Sequence, residues 1–347
     1  MKMKTLGRTG LQVTENSFGA LPIQRIPDED AVALLRYAYD SEINFYDTAR
    51  FYTDSEHKIG LALSDVRDNI ILATKSMGRT KSAALADLEI SLGNLKTDYV
   101  DIFQLHNITE LPDISDPESS YYALIEARNS GKCRFIGITT HRLELAIAAA
   151  ESGLYDTVQF PLCYMSADRD LELIDICKKH NIGLIAMKGM SGGIISSAEA
   201  AYAFFTQYDN VVPIWGVQKK SELDDFLGYA QKGIVLDERL KKIIEDDRER
   251  FKDDFCRGCG YCEPCPVGVP LRDAARMIPM LNRAPWKEYT TEAWQEKMSH
   301  IKDCIDCGRC ESRCPYQLQC RRLIRESYDY FIKVCREKGV LIEKYLK

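Results

Sequence analysis

The chain has 347 residues, of which 45% are apolar and 28% charged, and a formal charge of −6. This length allows two domains, and the composition is that of an ordinary globular protein rather than a disordered or membrane-embedded one. The acidic balance and the lack of a basic run predict no nucleic-acid partner. No apolar stretch long enough for a signal peptide or a bilayer span is present, so the expectation is a cytoplasmic protein, away from membranes, whose cysteines stay reduced.

The opening TLGRTGLQV, with Gly-Arg-Thr-Gly at its middle, predicts a hairpin that could plug one end of a barrel. Up to about residue 231, short apolar β-rich runs then alternate with helical patterns. Eight strands are predicted at 15–21, 44–49, 69–75, 100–106, 135–141, 157–163, 183–189 and 211–217. The helix after the third strand shows the periodicity: Leu85, Leu88, Leu92 and Leu95 form one apolar stripe behind Ser82, a candidate N-cap. An open doubly wound sheet also alternates strand and helix. Eight units, with no GxGxxG after the first strand, favour an α/β fold of the closed (β/α)8 TIM-barrel type. The predicted domains are the barrel over 1–235, a charged connecting helix over 236–255, and a small, mainly α-helical unit over 256–347, with helix breaks at Pro279 and Pro285.

Ten of the thirteen cysteines lie beyond residue 255. Clusters of thiols in a reduced compartment point to metal rather than to disulfides. The second run, Cys304, Cys307, Cys310 and Cys314 followed by Pro315, matches the CxxCxxCxxxCP pattern of bacterial-type ferredoxins. The first run, Cys256, Cys259, Cys262, Cys265 and Pro266, has a last gap one residue shorter. This resemblance to two-cluster ferredoxins implies two [4Fe-4S] clusters and a crossed ligand set. Cys256, Cys259, Cys262 and Cys314 would hold one cluster, and Cys304, Cys307, Cys310 and Cys265 the other. The long helical spacer is similar to that of the α-helical ferredoxins. Structural zinc is the alternative, since pairs of CxxC also make four-cysteine sites. Cys320 and Cys335 read as buried thiols.

In the barrel half, Asp47, Lys75 and His106 end the second, third and fourth strands, and Tyr52 follows Asp47 by five residues. Barrel active sites sit at the C-terminal strand ends, so these four meet at one rim. His141 ends the fifth strand there, and LPDISDPESS after His106 reads as a lid. The motifs LGRTGL, NFYDTA, SEHKIG and SLGNLKTDYVDIFQLH, with the strand phasing, make residues 1–230 resemble an aldo/keto reductase. The resemblance implies Tyr52 as general acid or base on a small-molecule carbonyl or alcohol. Lys75 would lower the phenol pKa from about 10, Asp47 would hold Lys75, and His106 would orient the carbonyl.

The same resemblance places a nicotinamide cofactor at the ends of strands five to eight. There the carboxamide-binding pair becomes Thr139 and Thr140, Gln159 is retained, Met187 takes the place of a stacking aromatic, and Lys188 follows it. Glu222 and Phe226 replace the residues that would hold a 2′-phosphate and adenine, so NADP preference is not expected unless Lys219 or Lys220 substitutes. The cofactors expected are therefore two [4Fe-4S] clusters, with NAD(P)H or a flavin as further candidates. A hydride carries two electrons and a cubane exchanges one. The leading reading is a carbonyl/hydroxyl oxidoreductase whose clusters exchange electrons with a ferredoxin-like partner or an internal cofactor. The alternatives are an NAD(P)H-dependent carbonyl reductase with structural clusters, and a non-catalytic redox sensor or electron-transfer subunit.

Overall fold

A computed structural model describes the whole chain except residues 192–194, 196, 252–255, 257, 259, 284–285, 315 and 347. The chain divides into two compact units, Met1–Ile244 and Glu245–Lys347, and the division falls inside the charged helix Glu238–Phe251.

In the first unit eight parallel strands close into a barrel. We number them β1 (Ser17–Gly19), β2 (Phe45–Asp47), β3 (Ile71–Ser76), β4 (Val100–Leu105), β5 (Cys133–Thr139), β6 (Thr157–Pro161), β7 (Gly183–Met187) and β8 (Val211–Gly216). Each pairs with its sequence neighbours, and β8 pairs back onto β1 through Trp215 and Phe18. The predicted strands are all present. Hydrogen bonding ends earlier than the apolar runs do in most of them, because the rim residues turn away into the loops.

Alternation along the strands sends every second side chain into the barrel. Phe45, Ile71, Ala73, Ile102, Ile185 and Val212 make one apolar core cluster. The N-terminal hairpin of Met3–Thr5 and Gln12–Thr14 pairs antiparallel and adds Leu6, Leu11 and Val13 to that core. It is therefore the expected plug. Gly7 permits it: its φ is +49°, and a Cβ there would stand 2.2 Å from the backbone nitrogen of Gly183. The helix Lys81–Leu95 buries Leu88, Leu92 and Leu95 as the stripe requires. Its cap is Thr80 rather than Ser82, since the Thr80 hydroxyl accepts from the amide of Ala83 at 3.2 Å.

The second unit is helical, with no strand among its described residues. Its longest helix, Cys320–Glu337, buries Leu323, Ile324, Phe331 and Cys335 on one face. Pro279 does not break a helix: Met277–Arg283 runs through it, with the proline in the first turn, where no backbone N–H is needed. Pro285 lies outside the described residues. No helix among the described residues is long and apolar enough to cross a membrane.

Candidate active site and cluster centres

At the C-terminal rim, the strand period that stacks Phe45 and Ala73 in the core brings Asp47 and Lys75 one layer higher on the same face. The Lys75 ammonium donates to Asp47 Oδ1 at 2.5 Å and to the Thr48 carbonyl at 2.6 Å. Gln159 Nε2 donates to the same Asp47 oxygen at 3.3 Å, and Gln104 Nε2 donates to Gln159 Oε1 at 3.1 Å. A buried polar layer of Asp47, Lys75, Gln104 and Gln159 thus caps the apolar core. Gln104 is absent from the sequence-based site. Its signal was available, since it lies two residues before His106 on the same strand.

Tyr52 sits on the loop between β2 and the helix Ser55–Leu63. That loop is pinned by the Thr48 and Ser55 hydroxyls at 2.9 Å and by Ser55 Oγ donating to the Ala20 carbonyl at 2.9 Å. The half-buried Tyr52 ring stands edge-on to His106, centroids 5.6 Å apart, with Lys75 Nζ 5.4 Å from its centre. The expected tetrad is brought together.

Its electrostatics differ from expectation. Burial pushes the Tyr52 phenol above the ordinary tyrosine value, and the nearby Asp47 carboxylate adds to the rise. Lys75 does not lower it, because Asp47 and Thr48 already hold the ammonium. Burial also pushes the Asp47 carboxyl up and the Lys75 amine down, each opposed by attraction to the other. His106 is pushed down to about 3 by burial first, then by Lys75 and Arg79. At neutral pH its imidazole is uncharged. Its Nδ1 is buried without a hydrogen-bond partner, so the tautomer that leaves no buried N–H orphaned carries the proton on Nε2.

The loop after β4 completes this side. Arg79 donates to the carbonyls of His106 and Asn107 at 2.8 and 3.2 Å, and the half-buried His141 meets Asn107 Oδ1 through Nδ1 at 2.8 Å. The segment 111–120 is held by its own turns, Ser115 on Asp113 and Glu118 on Asp116, and by Tyr122, which donates to the Ile114 carbonyl at 2.8 Å.

Beyond β4 the proposed cofactor residues are engaged within the protein. The Thr139 hydroxyl accepts from the Asn107 amide at 2.7 Å, and the Thr140 hydroxyl donates to the Ile108 carbonyl at 2.9 Å. Gln159 is committed to Asp47 and Gln104. Lys188 follows β7, half-buried, with φ of +61°. Glu222 Oε2 accepts from the amides of Gln218 and Lys219 at 2.8 and 3.1 Å, the anion-binding donors at the start of the helix Lys220–Lys232. Phe226 stacks on Trp215 at 4.2 Å, and Lys220 is held by Asp224 at 2.8 Å. Glu222 thus takes up the two amides at this helix start and leaves a carboxylate there.

In the second unit, two cavities collect the cysteines. One is lined by Cys262, Cys265, Cys304, Cys307 and Cys310. The other is lined by Cys256, Cys262 and Cys314, together with Cys320. Each cavity draws on both runs, as the crossed assignment requires. Cys259 lies outside the described residues. Gly308, at φ of +72°, makes the tight turn between Cys307 and Cys310. No disulfide joins the described cysteines. Burial pushes the Cys256 and Cys310 thiols up, so cluster loading would release protons from them. The thiols surround voids rather than converging on a point, and they fit polynuclear clusters.

A model of the aldo/keto reductase family matches residues 15–201, and a model of the 4Fe-4S dicluster domain matches residues 255–319. The chain belongs to the aldo/keto reductase family, with an iron–sulfur domain at its C-terminal end. It is 31% identical over 217 residues to an L-galactose dehydrogenase of Arabidopsis thaliana, covering 56% of this chain and 67% of that one. Among solved structures, an aldo-keto reductase of Bacillus halodurans in its holo form superposes with a TM-score of 0.63 at 21% identity, covering 71% of this chain and 96% of that one. One from Klebsiella pneumoniae, solved with NADPH, gives 0.62 at 21%, with coverage of 72% and 96%. These two structures share the barrel fold.

Proposed function

We propose that this enzyme interconverts a small-molecule carbonyl and its alcohol at the Tyr52 rim, and that two [4Fe-4S] clusters serve its electron exchange with a ferredoxin-like partner or an internal cofactor. The observation that carries the reading is the meeting of a protonated Tyr52 phenol and an uncharged His106 imidazole over the Asp47–Lys75 layer, in a chain with two multi-thiol cavities.

Reducing a carbonyl takes two electrons and two protons. Tyr52 and Nε2 of His106 donate hydrogen bonds to the carbonyl oxygen and polarise it. Tyr52 gives the proton that ends on oxygen and regains one from solvent. The second proton and both electrons reach carbon from outside the tetrad. A bound cluster exchanges one electron, so a pair supplies the two. Lys75 and Asp47 position the loop carrying Tyr52 and keep the layer beneath it polar.

Cys256, Cys259, Cys262 and Cys314 would hold one cluster, and Cys265, Cys304, Cys307 and Cys310 the other. Dithionite titration followed by electron paramagnetic resonance is expected to reduce both within the roughly −700 to +450 mV that protein clusters span. Clusters that stay oxidised throughout would make them structural and contradict the electron path.

A further inference from the structure

The cavity lined by Cys256, Cys262 and Cys314 is also lined by a thiol to which the cluster reading, on which this inference rests, gives no role as ligand. That thiol is Cys320, the first residue of the helix Cys320–Glu337 and only 7% exposed. Its sulfur donates to the carbonyl oxygen of Cys310 at 3.7 Å, and it lines the same cavity as Cys314. In the crossed assignment, Cys314 belongs to one cluster and Cys310 to the other. Cys320 therefore lies beside a ligand residue of each.

We propose that Cys320 is a positioning residue that donates an S–H hydrogen bond to the cluster-bound sulfur of Cys314 and so raises the reduction potential of that cluster above the value it would otherwise have. The chemistry follows from the inventory of groups. A cysteine bound to iron is a thiolate and only accepts, whereas a free cysteine is a weak donor. The apolar wall around the sulfur, from Leu318 and Leu323, gives that donor few other acceptors. The Cys310 carbonyl is one, but an acceptor bearing charge is the stronger. Adding one electron to a cluster increases the negative charge on its sulfurs, so a donor stabilises the reduced form more than the oxidised one. The proton stays on Cys320 throughout, and only one electron moves.

A role as ligand is the competing use of this thiol. Sequence spacing argues against it, since Cys314 takes the fourth place of the run and precedes Pro315, while Cys320 lies on the following helix.

The test uses the full chain, purified anaerobically, with iron content and a redox titration followed by electron paramagnetic resonance. Cys320→Ala should keep about eight irons and lower the potential of one cluster, leaving the other in place. At fixed potential its reduced fraction relative to oxidised should fall about three- to tenfold, which is about 30 to 59 mV for one electron. Cys320→Ser retains a donor and should stay near the wild-type potential. Loss of about four irons in Cys320→Ala would make Cys320 a ligand and overturn the proposal, as would unmoved potentials or an equal shift of both clusters. A wild-type chain without iron would instead overturn the cluster reading itself.

Discussion

Replacing Tyr52 with phenylalanine is expected to lower turnover of a carbonyl substrate by about 10²- to 10⁴-fold, the range that a positioned proton donor contributes. The ring remains, so its edge contact with His106 and the loop pinned by Thr48 and Ser55 should survive. Iron–sulfur absorbance and melting temperature should stay as in the wild type. The pH profile adds a second readout. Burial and Asp47 hold the phenol above its ordinary range, so the acid form needed for reduction is fully present at neutral pH. It is lost only as pH rises through that raised value. His106, pushed down to about 3, is uncharged over the same interval. Wild-type reduction should therefore show no ionisation of Tyr52 or His106 between about pH 5 and 9, given ordinary values of about 6.5 and 10 for histidine and tyrosine. Unchanged turnover in Tyr52→Phe would remove the tyrosine from the chemistry.

The second large effect concerns Cys265, the cysteine after the shortened gap. Cys265→Ala should lose about half the iron, about four of eight atoms, because it removes one corner of a four-thiol site. The informative comparison is the double variant with Cys304→Ala. Both residues line the same cavity, so the two losses should not add, and the double variant should keep about four irons. If each run instead held its own cluster, the double variant would lose nearly all of them. Iron and sulfide analysis of the three variants separates these outcomes.

Much of this was legible in the sequence because it depends on period and spacing. Short apolar runs mark all eight strands, and the strand ends put Asp47, Lys75 and His106 on one rim. The two cysteine runs are likewise plain in the sequence, and their crossed assignment is what the resemblance to two-cluster ferredoxins implies. What escaped depends on contacts between residues distant in sequence. The Tyr52 phenol moves up rather than down because it is buried and the Asp47 carboxylate lies near it. Thr139 and Thr140 could be read as cofactor contacts until their hydroxyls were seen on the loop backbone. Glu222 was expected to repel a phosphate, and the structure adds that it fills the helix amides itself. Pro279 reads as a breaker only when its place in the first turn is unknown. Cys320 reads as a buried thiol and is one, and the cavity adds that it lines the same void as Cys256, Cys262 and Cys314.

These features bear on the division of labour between the units. In the proposed function the rim would provide acid, polarising donor and a polar floor, and Thr139, Thr140, Gln159 and Glu222 beyond β4 are engaged within the protein. The second unit provides thiols for one-electron carriers. The account thus makes the clusters the source of the two electrons that a carbonyl needs.

A single-turnover experiment tests that claim most directly. The chain is reduced with dithionite, freed of excess reductant under nitrogen, and mixed with an aromatic aldehyde while cluster signals and alcohol are followed together. The account predicts that both clusters reoxidise as about one alcohol forms per chain, two one-electron carriers serving one two-electron reduction. Clusters that stay reduced, with alcohol appearing only after NADPH or NADH is added, would contradict it.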